Sequence, residues 1–174
     1  QSTILPTGMG IHVPAGAKFL FQMHYTPNGT QQRDRTSLGM TFADPTEVTS
    51  IVHGGAIANV GITIPPNTDD HQEVAELNID RPVELLSLSP HMHLRGKAFR
   101  YEAFFPNGRR EVLLDIPSYD FNWQLRYLLE KPLPLPAGTR IRCTARYDNS
   151  VGNPANPDPQ TVVRWGDQTT DEML

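Results

Sequence analysis

The sequence predicts an all-β fold, an antiparallel β-sandwich of jelly-roll type with little helix. Three observations lead to it. Apolar and polar residues alternate over many short runs, and no long stretch carries apolar side chains at helical spacing. Turn-forming residues recur along the whole length, with 16 Pro and 13 Gly in 174 residues. Alternation with one apolar face marks antiparallel strands buried on one side. Short strands punctuated this regularly mark sandwiches and barrels.

Taken in order, the first strand is expected over Lys18 to Thr26, with Phe19, Phe21, Met23 and Tyr25 on one face. Ser37 to Phe42 reads as a second. Ala56, Ala58, Val60, Ile62 and Ile64 alternate, as do Ala75, Leu77 and Ile79. Val83 to Leu88 is an extended apolar run, and Ala98 to Phe105 is strand-like. Pro106-Asn107-Gly108 then predicts a hairpin turn into Arg110 to Ile116. Trp123 to Leu129 follows, and Pro134-Leu135-Pro136-Ala137-Gly138 reads as a turn. The clearest strand is Thr139 to Tyr147, with Arg140, Arg142, Thr144 and Arg146 facing out. Asp148 to Gln160, rich in Asn, Asp and Pro, reads as a long ordered loop.

A boundary is expected at Asp44-Pro45, giving residues 1–45 and 46–174. The two strands before it are too few for an independent domain. They read as the remnant of a first β-sandwich, or as strands packed on the main domain. The remainder holds enough strands for a complete sandwich.

Composition narrows the function. Hydrophobic residues make up 38% and charged residues 20%, as in ordinary globular chains. The net charge is −4 and the basic residues are scattered, which argues against nucleic acid as a partner. No apolar run approaches the ~20 residues that span a bilayer. Cys143 is the only cysteine, so the chain is free of internal disulfides, and it reads as a small core residue. Asn28-Gly29-Thr30 meets the glycosylation sequon, although a tight turn accounts for it equally well.

The stretch with chemistry in it is Ser89-Pro90-His91-Met92-His93-Leu94-Arg95-Gly96-Lys97. In a strand, residues two apart share a face, so His91 and His93 present two imidazoles together while Met92 turns away. Such a pair suits Cu, Zn, Fe or Ni, and needs a third ligand from elsewhere. The plain alternative is two partly exposed histidines at a strand end. His12, His53 and His71 sit beside Gly, Pro or Asp and read as solvated loop histidines. Asp167, Asp171 and Glu172 read as solvated acids. Trp123 and Trp165 read as core or rim aromatics. No phosphate loop and no serine nucleophile elbow is present.

His91-Met92-His93-Leu94-Arg95-Gly96-Lys97, together with Thr169-Thr170-Asp171-Glu172-Met173, resembles the copper type II, ascorbate-dependent monooxygenases, in particular their bacterial members. Phe21-Gln22-Met23-His24-Tyr25 is similar to a third segment of that family. The resemblance runs from about residue 12 to the C-terminus and rests on the three segments in this order. It implies that His91, His93 and Met173 hold an oxygen-binding copper, and that His24 is one ligand of a second, electron-supplying copper. Two imidazoles and a thioether form a soft, under-coordinated set that favours Cu(I), whereas Zn prefers a closed tetrahedron of harder ligands.

What the resemblance implies for function is one-electron activation of O₂ and C–H hydroxylation of a small-molecule or peptide substrate. Ascorbate or another one-electron reductant would be the electron source, and the location would be extracytoplasmic. Three departures qualify it. The second copper lacks its paired histidines here, so His24 stands as an incomplete site. Leu174 occupies the position of a family cysteine, leaving Cys143 a free thiol. Met173 lies one residue from the end of the sequence, where fraying is expected. The chain therefore reads as part of a longer parent protein with other domains, binding copper with little turnover alone. The alternatives are a non-catalytic copper-binding module and a plain β-sandwich interaction domain.

Overall fold

The structure is a computed structural model and describes residues 4–174. The chain divides into two compact units, residues 1–55 and 56–174. No helix occurs among the described residues, and none is long and apolar enough to cross a membrane.

In the first unit, strand β1 (Met9–Gly10) pairs in parallel with β2 (Ser50–Ile51). The Gly8 carbonyl accepts from the Thr49 and Ser50 amides at 2.8 and 3.0 Å, and the Gly10 carbonyl from Val52 at 2.8 Å. This pairing ties residues 49–52 to the start of the chain, which places the division after Gly55 instead of at Asp44-Pro45. The strands expected at Lys18 to Thr26 and Ser37 to Phe42 do not form. Alternation marks amphipathic faces, but a strand also needs a ladder and a core. No described residue of this unit is buried, and Leu20 is 97% exposed. Asn28-Gly29-Thr30 is a tight turn: the Thr30 amide donates to Asn28 Oδ1 at 3.1 Å, and Gly29 has φ +79°.

The second unit holds the core. Its four-stranded antiparallel sheet is ordered β4 (His71–Asn78), β9 (Arg140–Tyr147), β6 (Gly96–Phe104), β7 (Arg110–Ile116). A second antiparallel pair joins β5 (Val83–Leu88) to β8 (Tyr127–Leu135), and a third joins β3 (Thr63–Ile64) to β10 (Val163–Arg164). One hydrophobic cluster unites them: Ile64 from the third pair and Ile62 just before it, Leu88 and Leu135 from the second, and Phe99, Ala103, Ile141 and Tyr147 from the sheet. Each such large side chain contributes about 1.5–3 kcal/mol on burial.

Strand β9 follows the expected alternation, with Ile141, Cys143, Ala145 and Tyr147 buried. Its outward arginines pair across the sheet. Arg142 meets Glu76 at 2.7 Å and Arg146 meets Asp70. Exposed pairs of this kind contribute about 0–1 kcal/mol each, so the inward face carries the stability. The hairpin at Pro106-Asn107-Gly108 forms as expected, with the Gly108 amide donating to the Phe105 carbonyl at 3.0 Å. Gly108 has φ +84°, a left-handed conformation that favours glycine.

Three boundaries differ from the sequence reading. The run from Ala56 is cut by a turn in which Asn59 Oδ1 accepts from the Gly61 amide at 3.0 Å, so only Ile62 and Ile64 are buried. Strand β8 starts at Tyr127, because the Trp123 amide closes a turn onto the Asp120 carbonyl at 2.9 Å. It continues through Pro132 and Pro134 to Leu135. A two-stranded ribbon tolerates the prolines because their missing N–H groups can face outward.

Cys143 is a free, fully buried cysteine, and burial pushes its thiol up to about 12. A thiol that stays protonated is a poor nucleophile. Iodoacetamide at mildly alkaline pH is therefore expected to leave native protein unmodified and to alkylate Cys143 only after denaturant is added. Mass spectrometry of the intact chain checks this, and rapid labelling of the native protein would contradict it.

Candidate metal centre

Between β5 and β6 the chain crosses from the two-stranded ribbon to the four-stranded sheet through Ser89 to Arg95. This linker is irregular and not the strand end expected for His91 and His93. Its geometry is set by Glu172, which is fully buried. One carboxylate oxygen accepts from the His93 amide at 2.7 Å, the other from the Arg95 amide at 2.6 Å. The chain turns between them, and the Gly96 amide closes that turn onto the His93 carbonyl at 3.2 Å.

The side chains sort accordingly. Met92 is fully buried and turned into the core, as expected, with both its amide and its carbonyl bonded to the Tyr119 hydroxyl at 3.0 and 2.9 Å. His91 and His93 lie on the other side, ring centroids 5.1 Å apart and planes at 86°. His93 is 4% exposed and His91 is exposed. Gly96, which ends the linker, has no room for a side chain: a Cβ would lie 2.7 Å from the Tyr119 ring.

Each imidazole is held by its Nδ1. His93 Nδ1 lies 3.2 Å from the Asp171 carbonyl, and His91 Nδ1 lies 2.5 Å from Gln124 Oε1. Gln124 spends its amide nitrogen on the Phe121 carbonyl at 2.7 Å, which leaves its oxygen facing His91. Both acceptors lack a proton to give, so each of these contacts has Nδ1 as the donor. Burial holds His93 below the ordinary imidazole range, aided by the neighbouring His91, while the backbone at Asp171 and Gln168 pulls the other way.

The spacing of the two rings is of the size that a shared ion would need. With metal–nitrogen bonds of about 2.0–2.1 Å, two imidazoles on one ion at right or tetrahedral angles set their centroids roughly 4.5–5 Å apart. The observed separation is close to that range. Among the described residues, no group of three or more His, Cys, Asp or Glu side chains could hold a metal ion.

No protein-family model matches the chain, and no curated protein does. The site's chemistry rests on its own geometry.

Met173 belongs to the segment that Glu172 fastens to the linker, and it is half-buried. Its carbonyl accepts from the Tyr147 hydroxyl at 2.7 Å, and the next carbonyl, of Leu174, accepts from the Asn59 amide at 2.7 Å. Leu174 is 5% exposed. The backbone of the segment expected to fray is bonded on both sides of Met173. Trp165 bridges to Glu172 and packs against the core, whereas Trp123 is exposed. His12, His24 and His53 are exposed on irregular backbone. His71 is not in a loop: it opens β4 and meets Glu73 at 2.8 Å.

The sequence reading missed the supports. Arg95, 2% exposed, donates from Nε to Asn149 Oδ1 at 2.9 Å and from a terminal nitrogen to the Thr170 carbonyl at 2.8 Å. Asn149 also donates to the Pro65 and Thr161 carbonyls at 2.9 and 3.0 Å and accepts from Asn156. Glu172, read as a solvated acid, is the central clamp. Burial pushes its carboxyl up to about 7, against the amides of Arg95 and His93 and the charge of Arg95, which favour the ionised form. Gln124 gave no signal in the sequence.

Proposed function

We propose that this chain is a copper-binding domain of the ascorbate-dependent monooxygenase type, with His91, His93 and Met173 as ligands. The observation that carries the reading is the pair of crossed imidazoles, each with Nδ1 held by an outer acceptor. Two neutral imidazoles completed by a thioether select a soft ion over zinc. A copper held there would supply one-electron activation of O₂ for hydroxylation of a C–H bond. One oxygen atom enters the substrate and the other leaves as water, with two electrons from ascorbate or another one-electron reductant and two protons. The substrate would be a small molecule or peptide, the location extracytoplasmic, and the sandwich of jelly-roll type.

The chain's own residues position this chemistry. The buried linker holds His93 through backbone on both sides, Glu172 at its amide and Asp171 at its ring. Exposed His91 leaves the site open toward solvent, and Phe121 lies edge-on to His93 at 6.4 Å.

A second reading, a copper-binding module without turnover, is favoured by the surroundings of His24. That residue is exposed, and no metal-holding group of three His, Cys, Asp or Glu exists among the described residues. We therefore expect binding by this chain with little hydroxylation in ascorbate.

Titration with Cu(I) against a competing chelator tests the site. About one equivalent is expected to bind, and His91→Ala or His93→Ala to abolish it. Met173→Leu is expected to weaken Cu(I) more than Cu(II). Stoichiometric binding retained in either histidine variant would refute the ligand assignment.

A further inference from the structure

We propose that Gln124 is a positioning residue for the metal site: it selects the tautomer of His91 that leaves Nε2 free to bind. The inference rests on the copper reading above for its consequence, but not for its geometry. A neutral histidine side chain in water favours the proton on Nε2, the nitrogen that would have to bind. His91 is exposed, so burial does not fix its tautomer. The reversal comes from a single contact, Gln124 Oε1 at 2.5 Å from Nδ1.

The loop that carries Gln124, between β7 and β8, is built to deliver that oxygen. It is fastened at one end where the Tyr119 amide donates to the Lys97 carbonyl at 2.9 Å and the Tyr119 hydroxyl bonds the Met92 backbone. A turn follows, with the Asn122 and Trp123 amides donating to the Asp120 side chain and carbonyl at 2.8 and 2.9 Å. Gln124 then closes its own amide onto the Phe121 carbonyl, 2.7 Å away. That bond fixes which end of the amide is presented. With the amide reversed, an N–H would face His91 and would stabilise the opposite tautomer. His93 needs no such device, because a backbone carbonyl, which can only accept, stands at its Nδ1.

Outer partners that orient a ligating imidazole typically change metal affinity 10–100-fold when removed. Gln124 is half-buried on irregular backbone, so its loss leaves the core untouched. The test uses the full chain with ¹⁵N-labelled histidine, without metal, above the imidazole titration range. Long-range ¹H–¹⁵N correlation reads which ring nitrogen of His91 carries the proton. Wild type is expected to show Nδ1–H, and Gln124→Ala a shift toward Nε2–H with an unchanged melting temperature. Gln124→Glu keeps an acceptor and is expected to restore Nδ1–H. In competition titration, Cu(I) affinity is expected to fall 10–100-fold in the alanine variant and to recover in the glutamate variant.

The proposal is overturned if wild type holds the proton on Nε2, or if Gln124→Ala keeps both the wild-type tautomer and the wild-type affinity. Equal loss of affinity in the alanine and glutamate variants would also overturn it, since a purely packing role predicts that result. If the tautomer switches as expected but wild type binds no Cu(I), the copper reading falls and the control of His91 by Gln124 stands.

Discussion

Replacing Glu172 by alanine is expected to cost the fold about 3–5 kcal/mol, the range for removing one partner of a buried charged network. Three losses combine. The amides of His93 and Arg95 lose acceptors at 2.7 and 2.6 Å, and each buried unsatisfied donor costs about 1–3 kcal/mol. The third is electrostatic, since the carboxylate is the main opposite charge offsetting the desolvation of the Arg95 guanidinium. Equilibrium urea unfolding of the two proteins gives the difference directly. A loss below 1 kcal/mol would mean that water replaces the carboxylate, and that the clamp is not what shapes the linker. Glu172→Gln is the finer probe. Its amide has one acceptor for two donors, so it should fall between wild type and alanine.

The second large effect is expected at Asn149, where an isosteric change suffices. Asn149 is fully buried, its oxygen accepts from Arg95 and Asn156, and its nitrogen donates to the Pro65 and Thr161 carbonyls. Every hydrogen-bonding position of the side chain is engaged. Asn149→Asp keeps the shape and the pairing with Arg95 but turns both donations into contacts between a carboxylate and carbonyl oxygens. Roughly 2–4 kcal/mol should be lost at neutral pH. If the change proved neutral in urea unfolding, the network would not be the anchor of the Asp148 to Gln160 loop. Asn149→Ala should be at least as damaging, because it leaves those carbonyls and Arg95 Nε unpaired in the interior.

The sheet was legible in the sequence where alternation coincided with partners. Ile141, Cys143, Ala145 and Tyr147 face a core, and both edges of their strand are paired. The same alternation at Phe19, Phe21, Met23 and Tyr25 misled, because periodicity records which face is apolar and not whether a neighbouring strand exists. The histidine pair was legible from spacing alone, although for a partly mistaken reason. The linker is not a strand, and its course is fixed by a carboxylate 79 residues away from His93. That dependence is invisible locally. Asp171 and Glu172 look alike in a polar segment, yet only Glu172 is fully buried. Gln124 was illegible for a similar reason, since 33 residues separate it from His91 and glutamine is common on surfaces.

The two imidazoles also differ in compliance. His93 is gripped by a buried carboxylate at its amide and by a main-chain carbonyl at its ring, so it can tilt only if the segment carrying Asp171 and Glu172 shifts with it. His91 leans on one side chain at the rim, and that side chain can rotate. An ion whose preferred bond angles change as it gains or loses an electron would therefore find all its slack on one side. The softer imidazole would follow the ion while the stiffer one keeps the address.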